Sequence, residues 1–99
     1  MPYVIMFTDD PGVLEKKKAI RPVHIDYVTK NAHRIIASGG LFPDDDDFPN
    51  GGLILLDTEL RQEAVDYIEK DPFFLNGIFS KYTLNRWRKF IFDHKRIPA

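Results

Sequence analysis

Two ionisable side chains stand out because each is of a type, and at a position, that could serve proton transfer. His24 follows Pro22 in a predicted helix and lies at the border between its apolar and polar faces. An imidazole there is partly dry and still reaches a ligand, and histidine is the most usual general acid or base. Asp71 directly precedes Pro72, where its carboxylate can accept backbone N–H groups of a helical turn. His24 and Asp71 are therefore the candidate catalytic residues.

Each of these residues also has a purely structural interpretation. A half-buried histidine bonded to a backbone carbonyl would account for His24, and a helix N-cap would account for Asp71. The cap and the catalytic interpretation of Asp71 are compatible, since a carboxylate held by a cap can also orient a histidine.

Two arginines are candidate substrate-binding residues, Arg21 and Arg88. Arg21 precedes Pro22 at the predicted helix N-terminus, where its charge opposes the helix dipole. An internal carboxylate, an anionic substrate group or a simple surface position would each account for it. Arg86 and Arg88 share one face of the predicted last strand, with Trp87 on the other face, in the core or in a dimer interface. Ordinary surface charge is the alternative for the strand arginines.

The sequence carries no motif for a metal or a nucleotide cofactor. It has no cysteine, which excludes disulfides, thiolate metal sites and a cysteine nucleophile. His33 and His94 stand outside any H-E-x-x-H pattern, and the four aspartates at 44–47 lack the spacing of a calcium loop. The glycine motifs of nicotinamide, ATP and serine-hydrolase sites are missing as well. We therefore expect no metal and no cofactor.

Composition indicates one globular domain. The chain has 99 residues, of which 43% are apolar and 13% aromatic. We expect a single domain over 1–99, with its core at about 2–90 and a tail at 91–99. Fourteen basic residues against fifteen acidic ones leave no basic field for nucleic acid. Since the N-terminus lacks the basic region of a signal peptide and no apolar run is long enough for a membrane, we expect a cytoplasmic protein.

Hydrophobic periodicity and turn residues predict the elements that position these side chains. They are a strand over 3–7, a helical turn over 13–19, a helix over 22–37 that Ser38-Gly39-Gly40 ends, a short strand at 41–42, a solvated loop over 43–52, a strand over 53–56, a helix over 59–70 capped by Asp57-Thr58, a helical turn over 71–75 and a long strand over 78–90. The helix over 22–37 is expected to face the core with Ile25, Val28, Ala32, Ile35 and Ile36.

The order β-α-β-β-α-β predicts an α+β fold, a ferredoxin-like protomer in which an antiparallel four-stranded sheet has its helices on one face. The other face stays open, and a second copy packed sheet to sheet would cover it as a homodimer. The RNA-recognition motif has the same order of elements. The strand at 52–56 has no aromatic platform for bases, however, so we expect no nucleic-acid partner.

Five short motifs, taken in order, resemble the YciI-like (YCII-related) family. They are Tyr3-Val4-Ile5-Met6-Phe7-Thr8-Asp9, Arg21-Pro22-Val23-His24, Gly39-Gly40-Leu41, Glu69-Lys70-Asp71-Pro72-Phe73-Phe74 with Gly77-Ile78-Phe79, and Trp87-Arg88. The resemblance implies a dimeric α/β barrel and a cleft built on a histidine–aspartate pair, here His24 and Asp71. It also implies kinship with enzymes that dehydrochlorinate hydroxyquinol-type aromatics.

Two functions follow as hypotheses. The first is a cofactor-free lyase or isomerase acting on a small aromatic or lactone-like substrate, with His24 moving a proton and Asp71 orienting the imidazole. The second is a binding protein of the same fold that holds a small molecule without chemistry.

Overall fold

The computed structural model of the chain describes residues 1–98. In that part, a four-stranded sheet is combined with three helices and a short C-terminal hairpin. The elements are β1 (Tyr3–Thr8), α1 (Leu14–Lys30), β2 (Ile35–Leu41), β3 (Gly51–Leu56), α2 (Arg61–Glu69), α3 (Pro72–Leu75), β4 (Tyr82–Arg86), β5 (Ile91–Phe92) and β6 (Lys95–Arg96). A single 3-10 turn at Ala32–Arg34 joins α1 to β2.

The sheet has the order β2-β3-β1-β4, and every pair of neighbours is antiparallel. The first strand is thus central, and the two βαβ-like halves interleave as a ferredoxin-like protomer requires. The predicted α+β class, with a four-stranded antiparallel sheet and helices on one face, is confirmed.

Alternation along β1 separates the two faces of the sheet. Tyr3, Ile5 and Phe7 are buried and point towards the helices, whereas Met6 is 40% exposed on the opposite face. The helix-facing side chains pack with α2, α3 and the segment after α3 into one core. That core includes Ile54, Leu56, Ala64, Tyr67, Ile68, Phe73, Ile78, Phe79 and Leu84.

The face of α1 that packs on this core differs from the predicted one. It carries Val13, Lys17, Ile20, His24 and Tyr27, at spacings of four, three, four and three residues. Of the stripe expected from the sequence, Ile25 is 43% exposed, and the last residues belong to a strand. The prediction is wrong because two positions of the true buried face are polar, which breaks the hydrophobic periodicity.

The helix predicted over 22–37 is also wrong at both ends. Helix α1 begins at Leu14, so that Pro22 lies inside it, and it ends at Lys30. Ile35–Leu41 then forms β2, which replaces the strand expected at 41–42. Two neighbouring isoleucines favour a strand over a helix. Pairing with β3, which lies far along the chain, decides the outcome, with a bulge between Ile35 and Ala37.

Smaller corrections concern α2 and the C-terminal part. Helix α2 spans Arg61–Glu69 and has Leu60 as its N-cap, while the Thr58 hydroxyl accepts the Leu60 N–H. The long strand expected over 78–90 shrinks to Tyr82–Arg86, because Ile78 and Phe79 pack into the core before the strand begins.

No helix or strand was predicted for the tail at 91–99. Within residues 91–98 it forms the β5–β6 hairpin. Positive φ angles at Asp93 and His94 make the two-residue turn that matches strand twist. Residue 99 lies outside the described residues. Along residues 1–98, none of the helices combines the length and apolar character needed to cross a bilayer.

Tyr82 connects β4 with Glu69, the last residue of α2, which lies two residues before Asp71. Its hydroxyl donates to Glu69, and its ring meets Phe74 edge-on at 6.0 Å between centroids. Burial, together with this hydrogen bond and the Glu69 charge, raises the pKa of Tyr82 to about 12.

The raised pKa of Tyr82 predicts a pH-dependent contribution to stability. A neutral tyrosine is favoured in the folded state, so its contribution is complete below the unfolded pKa of 10.0 and is lost as pH rises through about 12. We expect the difference in free energy of unfolding between wild type and Tyr82→Phe to decline over that interval. Urea denaturation at pH 9, 10, 11 and 12 measures it, and a constant difference would contradict the assignment.

Candidate functional site

Asp71 is placed by the chain segment around it. Pro72 occupies the first turn of α3, and Asp71 is the N-cap, with its Oδ1 accepting the Phe73 N–H at 2.8 Å. The predicted cap is therefore confirmed. The side chain is 1% exposed, so its charge is held away from water.

The same oxygen of Asp71 is bonded to His24. Nδ1 of His24 lies 2.8 Å from Asp71 Oδ1, across 47 positions of sequence. Because an ionised carboxylate only accepts hydrogen bonds, Nδ1 carries the proton, and Nε2 is the nitrogen with a lone pair. The His24 side chain is 20% exposed and can therefore exchange a proton with a bound molecule.

Phe73 fixes the plane of the imidazole. The two rings stack with centroids 3.8 Å apart and planes inclined by 5°. The turn that supplies the carboxylate thus also supplies the surface on which His24 rests. One hydrogen bond and one stacking contact, both from 71–73, determine the orientation of the ring.

The charge of Asp71 affects the pKa values of two nearby tyrosines, Tyr27 and Tyr67. The Tyr27 hydroxyl donates to the Tyr67 carbonyl at 2.7 Å, and the two rings lie 5.3 Å apart. Burial, followed by the negative charge of Asp71, raises the pKa of Tyr27, and the same two causes raise the pKa of Tyr67 well above its usual value. Sequence reasoning missed both, although Tyr27 is three residues after His24 and Tyr67 is four before Asp71.

A cavity of about 350 Å³ adjoins His24, within the size range of small-molecule sites. It lies between α1 and the strands β2 and β3, and Phe73 forms part of its wall. Beside the cavity, two helix-facing positions of the sheet carry no side chain because neighbouring groups occupy the space above them. Gly40 and Gly52 are cross-strand partners there. A Cβ at Gly52 would come within 2.7 Å of the Phe7 ring, and one at Gly40 within 2.9 Å of Pro49.

The predicted substrate-binding arginines are separated in the structure. Arg21 lines the cavity, one helical turn before His24. It lies in the middle of α1 and not at its N-terminus, so the dipole argument made for it does not apply. Arg88 follows β4 at the other edge of the sheet, is exposed, and does not line this cavity. Its role in binding stays a prediction.

The acidic and histidine-bearing segments lie apart from the cavity. Asp44 to Asp47 form an exposed turn between β2 and β3, as predicted. His33 and His94 are exposed. Within residues 1–98, no three His, Asp or Glu side chains come together as metal ligands would.

Lys17 is a further residue of the cavity that sequence reasoning missed. Its side chain is 3% exposed, and its ammonium group donates to Asp9 Oδ2 at 2.8 Å. The signal available in the sequence was the seven-residue interval to His24, which puts both side chains on one face of a helix.

Replacing the carboxylate tests the orientation of His24. Asn at position 71 still caps α3 but can donate as well as accept, so it fits either imidazole tautomer. We expect ¹⁵N NMR of the neutral ring to report the Nδ1–H tautomer in wild type and a mixture in Asp71→Asn. His33 and His94 serve as internal controls. Identical tautomer ratios for His24 in both proteins would contradict the contact.

Comparison with known proteins agrees with this architecture. An uncharacterized protein of Haemophilus influenzae is 27% identical over 96 residues, which is 90% of this chain and 98% of that protein. The structure of 5-chloro-2-hydroxyhydroquinone dehydrochlorinase from Burkholderia phenoliruptrix AC1100, in complex with 2,5-dihydroxybenzoquinone, is similar with a TM-score of 0.79. The sequence identity is 25%, over 89% of this chain and 94% of that one.

These likenesses confirm the predicted fold class, a ferredoxin-like protomer of the dimeric α/β-barrel type. The model of the YCII-related domain matches residues 1–88. The match ends just before the C-terminal hairpin and includes every strand of the four-stranded sheet. The resemblance found in the sequence motifs is thereby confirmed, and the chain belongs to the YCII-related domain family.

Proposed function

We propose that the chain is a cofactor-free enzyme of the lyase or isomerase type, acting on a small aromatic or lactone-like substrate. The observation that carries the proposal is the hydrogen bond between His24 Nδ1 and buried Asp71, beside a cavity of about 350 Å³. A buried carboxylate paired with a partly exposed imidazole is the arrangement that general acid–base catalysis uses.

The reaction needs a group that accepts a proton and a negative charge that stabilises this group once it is protonated. His24 Nε2 takes a proton from the substrate, and Asp71 stabilises the imidazolium that forms. In a dehydrochlorination the substrate loses that proton and a chloride ion, so the products balance without an oxidant. The imidazolium then returns its proton to water. An acid–base group of this kind contributes about 10²–10⁴-fold in rate.

The cavity lining suits a flat, partly apolar molecule. Phe7, Phe73 and Val28 supply apolar surface. Arg21 is positioned to bind a phenolate or carboxylate on that ring. The similar structure is named a dehydrochlorinase of a chlorinated hydroxyhydroquinone, which supports a lyase acting on a related aromatic.

Removing the imidazole tests the proposal directly. We expect wild type to release chloride from 5-chloro-2-hydroxyhydroquinone, and His24→Gln to be slower by about 10²–10⁴-fold. The matched control is His33→Gln, an exposed histidine outside the cavity, which should keep the wild-type rate. Chloride release and quinone absorbance give two independent readouts.

The outcomes separate the two candidate functions. Turnover that survives His24→Gln unchanged would remove the catalytic role of the pair. Binding by wild type without turnover of this compound or of a panel of phenols and lactones would favour the binding protein.

We also propose that two copies pack through the face of the sheet that the helices leave open. That face carries Val4, Met6, Ala37, Leu41 and Leu53, from three adjacent strands, together with Leu55, which is already buried in the single chain. Met6 and Ala37 are exposed in the single chain. Contiguous apolar surface of this kind marks an interface, and a twofold arrangement lets the same patch cover itself.

A charge placed at the centre of this face should prevent assembly. We expect wild type to elute as a dimer and Met6→Lys as a monomer, because two buried ammonium groups would face each other across the axis. Size-exclusion chromatography with light scattering measures the mass. Val23→Lys, on the outer surface of α1, is the control that should stay dimeric. A monomeric wild type would refute this interface.

A further inference from the structure

Helix α1 carries a buried cation that the His24–Asp71 pair does not use. The Lys17 side chain is 3% exposed, on the same helix face as His24. Lysine is almost never buried without a partner, because an ammonium group loses its hydration there. Lys17 is thus held by partners in the cavity wall, unlike a lysine on the protein surface.

The partners of Lys17 account for part of its hydrogen-bonding capacity. Nζ donates to Asp9 Oδ2 at 2.8 Å and to the Pro49 carbonyl at 2.8 Å. An ammonium group has three N–H donors, so these two bonds leave one. The Phe48 and Phe73 rings flank the same nitrogen, with centroids 5.8 and 5.3 Å away.

Lys17 and His24 lie at two ends of one wall. Both line the cavity, with Arg21 between them, and Phe73 contacts both. Seven residues of helix separate the two backbones by roughly 10 Å along the axis. The Phe73 ring centroid lies 5.3 Å from Lys17 Nζ and 3.8 Å from the His24 ring centroid, so a hydroxylated six-membered ring bound beside Phe73 can form a hydrogen bond with each.

We propose that Lys17 is a substrate-binding residue, whose remaining N–H binds an anionic oxygen of the ring at the end of the cavity away from His24. Asp9 sets the strength of this site by partly neutralising the ammonium. The inference rests on the proposed function and narrows its substrate class to rings that bear an ionised oxygen on the side opposite the reacting position.

The charged groups of the cavity wall bear on whether it binds an anion or a neutral ring. Lys17 and Arg21 contribute two cations, while the Asp9 carboxylate is bonded to Lys17 and the Asp71 carboxylate to His24 and the Phe73 N–H. An ammonium group among aromatic rings is weakly screened, so a ligand oxyanion gains more there than it would in water. A charge-assisted hydrogen bond of this kind is among the stronger ones in proteins.

A structural role alone makes a different prediction. If Lys17 only pins Asp9 and the Pro49 loop, its removal should weaken every ligand of the cavity to the same extent. If Lys17 also binds an oxyanion, its removal should weaken anionic ligands selectively. The relative affinity for an anionic and a neutral ring therefore distinguishes the two roles.

The experiment measures binding of two probes by titration calorimetry at pH 7. 2,5-Dihydroxybenzoquinone has two ionised hydroxyls at this pH, and hydroquinone is a neutral ring of similar size. The variants are Asp9→Asn, which retains the ammonium, and Lys17→Met/Asp9→Asn, which leaves no buried charge unpaired. Lys30→Met is the matched control, since Lys30 forms an exposed ion pair with Asp26 on the same helix.

We expect Asp9→Asn to bind the dianion about threefold more tightly, or more, because the counter-charge is gone. The double variant should bind it about tenfold to a hundredfold more weakly. Hydroquinone affinity should stay within about twofold in both variants, and Lys30→Met should match wild type for both probes. Lys17→Arg should keep the preference for the dianion.

A double variant that binds the dianion as tightly as wild type would overturn the proposal. So would a double variant that loses affinity for both probes equally. Wild type that binds hydroquinone but not the dianion refutes the role of Lys17 and leaves the proposed enzyme standing. Wild type that binds neither probe removes the aromatic-ring site and the inference together.

Discussion

Burial of the Asp71 carboxylate obliges two distant parts of the chain to meet. A carboxylate 1% exposed is costly unless hydrogen bonds replace its water. One donor, the Phe73 N–H, comes from its own turn, and the other, His24 Nδ1, comes from α1. This pair of bonds sets α1 against α3, and the cavity lies beside that contact. Removal of one partner would leave a buried hydrogen-bonding atom unsatisfied, at a cost of about 1–3 kcal/mol.

The same helix face carries a second buried ionic contact, between Lys17 and Asp9. It ties the end of β1 to α1, and the Pro49 carbonyl adds the loop before β3. Val13, Ile20 and Tyr27 on this face pack against the hydrophobic core. Lys17 and His24 lie between them, bury less apolar surface than aliphatic side chains would, and both line the cavity. On the facing strands, Gly40 and Gly52 leave room for Pro49 and for the Phe7 ring beside the cavity.

Local signals predicted the parts of the fold that depend on near neighbours. The first strand, the Asp71-Pro72 cap and the exposed turn at 44–47 were all recognised from residue type and spacing. The region from Ile35 to Leu41 was divided between the end of a helix, since its isoleucines continue a helical period, a glycine stop at 38–40 and the start of a short strand. Its pairing with β3 is a long-range contact that no local pattern contains. Likewise, Ile78 and Phe79 are buried in the core and do not belong to the last strand, where the sequence had placed them.

The sequence alone determined the order of elements, the residue types able to move a proton and the motifs of the family. His24 and Asp71 could be singled out because histidine chemistry and Asp-Pro capping are local properties. Only the tertiary structure decided that these two side chains meet at 2.8 Å, that Lys17 is buried in the same wall, and that Arg88 lies elsewhere. The physical reason is that burial and pairing depend on where the sheet and helices pack, and side chains 47 positions apart share no local signal.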